Sequence, residues 1–309
     1  MVRRILQVTH FRDVLRSLRF HLDQALGKPV SIARFLNEHP PAKVEFPNSN
    51  QGITTEKTVR WHDWNWRDNS GNDALLWWSQ HRNGFRSSHR CIDELNNFTQ
   101  CLTLDRWECD IRTIEGLAAS KSDLSEFSTL DEFAALESPK EIEEISVRNL
   151  SKNLDHREIR IRNSPDGGGD FFVRYLWDGP RTFLINHGGS HHFAAARYIA
   201  RALDMPVPLS GRLEVCRIPT LSVQELTRKY DLFAMPLFID YFHEAMKSFK
   251  ASYGYCKLPR PLDRSAYLIF LPRDEPRSMK ASTALRGAGI FDVSDYLKHV
   301  CTESAVHTH

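Results

Sequence analysis

The chain has 309 residues, 41% of them hydrophobic, and a formal net charge of +2 from 41 Lys and Arg against 39 Asp and Glu. That length supports one large or two modest packed domains, and the near balance of charge gives no global drive toward nucleic acid or an anionic membrane, so any anion site must be local. The nearest approach to an apolar segment, Phe233 to Ile239, is short and broken by Pro236, well under the ~20 residues a bilayer crossing needs, and no integral membrane protein is expected.

The opening MVRRILQVTHFRDVLRSLRFHLDQALG carries Arg3, Arg4, Arg12, Asp13, Arg16 and Arg19, too many charges for a signal-peptide core. The six cysteines, Cys91, Cys101, Cys109, Cys216, Cys256 and Cys301, show no C-x-x-C pair and no spacing typical of a disulfide framework. Reduced thiols and a cytoplasmic location are therefore expected.

In chain order, Phe11, Val14, Leu15, Leu18, Leu22 and Leu26 fall on one face, predicting an amphipathic helix over 10–26 that docks on its own core, with Gly27 and Pro29 as the stop. From Pro40 to Gly71, turn residues without a clear period predict a loop region. Five of the seven tryptophans, Trp61, Trp64, Trp66, Trp77 and Trp78, lie there or in the following ALLWWSQH, read as a helix start. An aromatic core sealing an irregular N-terminal lobe is favoured over a platform for bases or sugars. Ser128 followed by Asp131, and Ser138 followed by Glu141, predict two short helices with acidic first turns. A soft boundary near residue 150 then separates an N-terminal helical, Trp-rich lobe (1–150) from a C-terminal α/β domain (151–309).

The second half alternates more clearly. HREIRIRN and DFFVRYLW read as two strands joined by the turn Ser164 to Gly169, and RTFLIN as a third strand that stops at Asn186 and His187. The helix SHHFAAARYIARAL follows, then a strand RLEVCRI, helices near 222–230 and 237–250, a strand AYLIFL, and a helix near 278–286. The fold class is α/β in the mixed α+β sense.

The segment Gly188-Gly189-Ser190-His191-His192 joins a strand to a helix. Such a turn gathers free backbone N–H groups, the positive end of a helix dipole and a hydroxyl around one point, which is an anion cradle. Gly188 and Gly189 are free to take φ > 0, and Ser190 either caps the helix or donates to a phosphate oxygen. His191 and His192 are the catalytic candidates, because nothing about a turn requires imidazoles there. Against a bound phosphate both rings are expected to shift to higher pKa and to titrate as a pair. His187 and His191 are candidate metal ligands if the helix begins early, although no Cys, Asp or Glu stands at motif spacing to complete a shell. No G-x-S-x-G elbow is present to make Ser190 a hydrolase nucleophile.

The run N-H-G-G-S-H-H-F-A-A-A-R, Asn186 to Arg197, resembles the phosphate-binding motif of the ParB and sulfiredoxin superfamily over roughly residues 155–220. The resemblance implies a ParB/sulfiredoxin-like domain that binds ATP or CTP through Asn186, Gly188, Gly189 and Ser190. It also implies a nucleotide hydrolase or nuclease activity with nucleic acid among its expected partners, while the clustered histidines make a divalent metal a candidate cofactor. Ser190 stands where sulfiredoxins carry the reactive cysteine, which removes thiol-based reduction. His192 stands where these families carry arginine, and Arg174 is the candidate replacement. Arg160 and Arg162, and Arg273, Arg277 and Lys280, are further basic residues expected to extend the site. The alternative is a non-catalytic interaction protein, a phage-related, toxin or defence component, that uses the fold as a scaffold and its N-terminal lobe to hold a protein partner.

Overall fold

The computed structural model describes residues 17–40, 42–47, 52–66, 74–236 and 239–306. Two five-stranded sheets organise the chain. The first has the order β2-β1-β9-β10-β8 and is antiparallel throughout: β1 (Leu75–His81), β2 (Gly84–Arg90), β8 (Tyr230–Pro236), β9 (Tyr253–Lys257) and β10 (Ala266–Pro272). The second is mixed, with the order β3-β7-β5-β6-β4: β3 (Gln100–Asp110), β4 (Ile114–Leu117), β5 (Phe171–Tyr175), β6 (Thr182–Ile185) and β7 (Pro208–Arg217). In it β3–β7 and β5–β6 are antiparallel, while β5–β7 and β4–β6 are parallel.

Strands from before residue 150 enter both sheets, so the boundary drawn there separates no structural layer. The tryptophan region is a core element, as expected. Trp61, Trp66 and Trp77 are buried in one cluster with Trp177, Tyr230 and Phe270, with Trp64 packed against its edge. Trp77 and Trp78, however, lie on β1 and start no helix. Their bulky rings suit a pleated surface, and Trp77 meets Gly254 of β9, where a side chain would put Cβ 2.4 Å from its ring.

Residues 17–25 are helical (α1), and Phe11, Val14 and Leu15 of the expected stripe lie outside the described residues. Leu18, Leu22 and Leu26 are exposed, while Gln24 is buried and donates to Ser248 Oγ at 2.8 Å, so the polar face turns inward instead. Pro29 ends one helix and begins another, α2 (Val30–Glu38), whose Ile32 and Phe35 pack on α8 (Ile239–Phe249).

Helix α3 (Leu130–Glu137) starts one residue later than the expected cap. Thr129 Oγ1 accepts from Glu132 N–H, and the Glu132 carboxylate accepts from Ser128 N–H, one residue before the cap, so the pair acts like a capping box reaching one residue further back. Ser138 opens only a 3-10 turn, Pro139–Glu141, and Ser146 caps the longer α4 (Val147–Leu154).

The segment HREIRIRN forms no strand. Arg160–Asn163 is a short helix (α5) followed by a 3-10 turn over Pro165–Gly169. Asn163 Nδ2 donates to the carbonyls of Leu154 and His156, which folds this stretch back onto the end of α4. Ile159 and Ile161 are both buried, an outcome that alternation over four residues cannot distinguish from a strand. The hairpin that leads into the glycine turn is therefore β5–β6. Helices α6 (Ser190–Ala202), α7 (Thr220–Lys229), α8 and α9 (Pro276–Gly287) fall where the sequence places them, and α10 (Val293–Val306) closes the chain.

Cys101 and Cys216 form a disulfide across the β3–β7 pair, correcting the expectation of reduced thiols throughout; Cys91, Cys109, Cys256 and Cys301 are free. The two cysteines are 115 residues apart in sequence and meet only through sheet register, which spacing does not reveal. Among the described residues, no helix is long and apolar enough to cross a membrane.

Candidate functional site

Helix α6 begins immediately after β6, at the end of the central hairpin of the mixed sheet. Its buried face, Phe193, Ala194, Ala196, Ile199 and Ala200, packs on Phe133 of α3 and Leu150 and Leu154 of α4. The alanines let three helices approach closely, so the helix start is held rigidly by a dry core. Arg197 is also buried, with Nε donating to Ile114 O and a guanidinium N–H to Asp131 of α3.

The turn is built by Asn186. Its side-chain oxygen accepts from the Ala118 and Ala119 amides, at 3.1 Å each, and its nitrogen donates to Ala119 O and Gly188 O. Asn186 is buried and fully bonded, so it shapes the loop and offers no atom to a ligand. Gly189 is the helix N-cap with φ +70°, whereas Gly188 has an ordinary negative-side backbone, so only one of the two glycines needs its conformational freedom. Ser190 does not cap the helix; it is buried and its Oγ donates to Ser120 Oγ at 2.9 Å. Phe193 N–H is the first α6 amide to bond back, to Gly189 O, which leaves the preceding amides facing the turn.

A cavity of about 540 Å³ opens over this turn, lined by residues 119–121, 156–158 and 187–192. Four imidazoles enter its wall, and each is held differently. His187 Nδ1 lies 2.9 Å from Asp170 Oδ1, which also accepts from the His187 backbone amide at 3.0 Å. Because a carboxylate only accepts, the Nδ1 carries the proton and Nε2 keeps the lone pair. Asp170 is buried while the His187 ring is half exposed, 54% of its side-chain surface remaining open. His191 Nδ1 lies 3.0 Å from Ser138 Oγ and its Nε2 3.5 Å from Ser122 Oγ. His192 Nδ1 donates to Asn153 Oδ1 at 2.9 Å, and its ring stacks on His156 at 3.8 Å and 18°.

The His192 pKa lies below the ordinary imidazole value, first because burial disfavours the charged ring, then through His156 and His191, with Glu141 and Glu158 opposing. In the free protein this is opposite to the upward shift expected beside a phosphate. A further finding is Glu158. Its Oε2 accepts from Gly189 N–H at 3.3 Å, so a carboxylate of the chain itself occupies the amide end of the cradle. Lys121 and Arg157 supply positive charge on the opposite lining segments.

The structure brings together Gly188, Gly189, Ser190, His187, His191 and His192 on one cavity and leaves out Arg174. That side chain bonds Thr182 Oγ1 and lies over the Trp107 ring, away from the lining. Arg273, Arg277 and Lys280 likewise bond Asp231, Phe249 O and Gly27 O, around the other sheet. Among the described residues, no group of three or more His, Cys, Asp or Glu side chains converges to hold a metal. Sequence reasoning missed Asp170, His156 and Glu158. His156 and Glu158 sat within one supposed strand, and Asp170 opened the next, directly after a Gly-rich turn, where an acid reads as part of the strand end.

Fold and site thus define a mixed α+β protein with a histidine-lined cavity at a helix start. Residues 104–309 match a family of unknown function, DUF6685, and the chain belongs to that family. The matched span contains the whole cavity lining. No curated protein and no solved structure matches the chain.

Proposed function

We propose that the chain binds a phosphate-bearing ligand, with nucleotides such as ATP or CTP the leading class, at the start of α6 and hydrolyses a phosphate ester or anhydride there. The observation that carries this reading is the Asp170–His187 pair, whose imidazole lines the cavity one residue before the glycine turn while its carboxylate is buried behind it. A buried carboxylate that fixes an imidazole tautomer and leaves the other nitrogen open is the arrangement that general-base and nucleophilic chemistry use. Histidines, Lys121 and Arg157 around open helix amides suit an anion. The order of β5–β6 hairpin, glycine turn and Ala-rich helix supports a ParB/sulfiredoxin-like assignment for this part of the chain. Nuclease activity is the same chemistry on a diester.

The test combines thermal shift with ATP, CTP, GTP, pyrophosphate and short DNA, with and without Mg²⁺, Mn²⁺ or Zn²⁺, and turnover of p-nitrophenyl phosphate and bis-p-nitrophenyl phosphate. A ligand at 100 times its Kd raises stability by ~2.7 kcal/mol, and His187→Asn abolishes turnover while retaining the shift. No shift and no turnover with any of these overturns the reading.

The second reading, a scaffold for a protein partner, is favoured by Leu102 and Leu104, exposed on the edge strand β3. It predicts that a folded variant with the α6 turn disabled keeps its partner.

A further inference from the structure

We infer that His187 is a phosphoryl acceptor, carrying the phosphoryl group of its substrate on Nε2 as a covalent intermediate; this rests on the reading that the cavity binds a phosphate-bearing ligand. Of the four histidines in the lining, His187 alone is bonded to a carboxylate. His191 has polar partners near both nitrogens, and His156 and His192 cover one face of each other by stacking. His187 instead has its ring and its backbone amide tied to the same Asp170 oxygen, which fixes the imidazole in the tautomer whose Nε2 lone pair is free.

Asp170 explains why covalent capture fits this residue. Its side chain is 1% exposed, and among the described residues His187 is its one ion-pair partner. A buried carboxylate is costly unless it faces a positive charge. An imidazole that bears a phosphoryl group on Nε2 and a proton on Nδ1 has a cationic ring, which Asp170 neutralises at 2.9 Å without any rearrangement. The amides of Ser190, His191 and His192, three to five residues on in the first turn of α6, face the phosphoryl oxygens.

The Nε2 lone pair forms the N–P bond of a phosphate monoester or anhydride, the P–O bond to the leaving group breaks with its electron pair, and the leaving oxygen takes a proton from solvent. Water then forms a new P–O bond as the N–P bond breaks, the Glu158 carboxylate accepts the proton of that water and passes it to solvent, and orthophosphate leaves. The Nδ1 proton stays on His187 throughout.

The experiment incubates the full chain with p-nitrophenyl phosphate and, separately, with phosphoramidate, quenches in alkali, and measures intact and peptide masses. One added phosphoryl group is expected on His187, stable to alkali and lost in acid, absent in His187→Asn and retained in His81→Asn, a change at the exposed end of β1 outside the cavity lining. Asp170→Asn, which keeps an acceptor oxygen but not the charge, slows its formation on the order of 10²-fold. Melting curves of each variant establish that it is folded. A chiral phosphate monoester supplies a second readout: phosphoryl transfer to an acceptor alcohol proceeds with net retention at phosphorus. Turnover with net inversion and no labelled His187 overturns the acceptor role and leaves hydrolysis standing, with His187 as a base. Absence of both phosphate binding and turnover removes the underlying reading and this inference with it.

Discussion

Replacing Gly189 with alanine tests how tightly the turn is built. The residue sits at φ +70°, where an added Cβ costs roughly 1–2 kcal/mol in any L-residue. That Cβ would also lie 2.8 Å from both the carbonyl carbon and oxygen of Glu158 and 3.1 Å from Ile159 N, all backbone atoms that cannot swing aside. Overpacking of this kind adds about 1–3 kcal/mol, for a total of about 2–5 kcal/mol. Gly188→Ala is the matched control. Its backbone is not left-handed, and the nearest atoms to its Cβ would be those of the Glu158 side chain at 3.5 Å, an ordinary contact, so its effect stays within about 1 kcal/mol. Urea unfolding followed by tryptophan fluorescence reads both variants from their midpoints at constant m. Phosphate binding is expected to survive Gly188→Ala and to be lost in Gly189→Ala, because the added Cβ pushes the start of α6 and its amides out of place. Equal destabilisation by the two substitutions, or a neutral Gly189→Ala, refutes the close approach of residue 158 to the helix start.

Glu158→Gln removes the carboxylate from the Gly189 amide, and phosphate affinity measured by calorimetry should rise roughly tenfold, ~1.4 kcal/mol, while turnover falls; unchanged affinity means the carboxylate does not compete with the ligand. His62, His192 and His243 all have pKa values held below the ordinary imidazole value, burial being the first cause in each. The unfolded chain therefore takes up protons first, so their contribution is complete above about pH 6.5 and is lost as pH falls through that value toward the folded pKa. Urea midpoints from pH 8 down to about 5.5 should decline, and less steeply in His192→Asn; a rise on acidification contradicts the burial argument. Reducing Cys101–Cys216 should lower stability by about 2–5 kcal/mol, and alkylation of the denatured, unreduced chain should modify four of its six cysteines. Six reactive thiols contradict the bridge.

The site's centre was legible in the sequence because its residues are neighbours: β6, the two glycines, the histidines and α6 form one continuous segment. What the sequence hid arrives from elsewhere in the chain. Asp170 reaches His187 through the antiparallel β5–β6 pair, and Glu158 and His156 arrive from the turn after α4. The arginines were misplaced for a related reason, since Arg174 points along β5 toward Thr182 and Trp107 and no local pattern says which face of that strand meets the turn. Strands β3, β8 and β9 escaped because burial on both faces, as in β8, or exposure along most of the strand, as in β3, erases the period of two. Trp77 and Trp78 read as a helix start because adjacent large rings fit either backbone until the partner strand supplies Gly254.

The central claim, that the start of α6 is a phosphate site served by His187, is tested most directly by titrating the ¹⁵N-labelled chain with inorganic phosphate, pyrophosphate, ATP and CTP. The amides of Gly189, Ser190 and His191 and the His187 ring nitrogens are expected to shift together and saturably with at least one of these ligands. If those resonances stay fixed with every ligand while scattered surface amides move, the cavity holds no phosphate, and the glycine turn is a structural connection between β6 and α6.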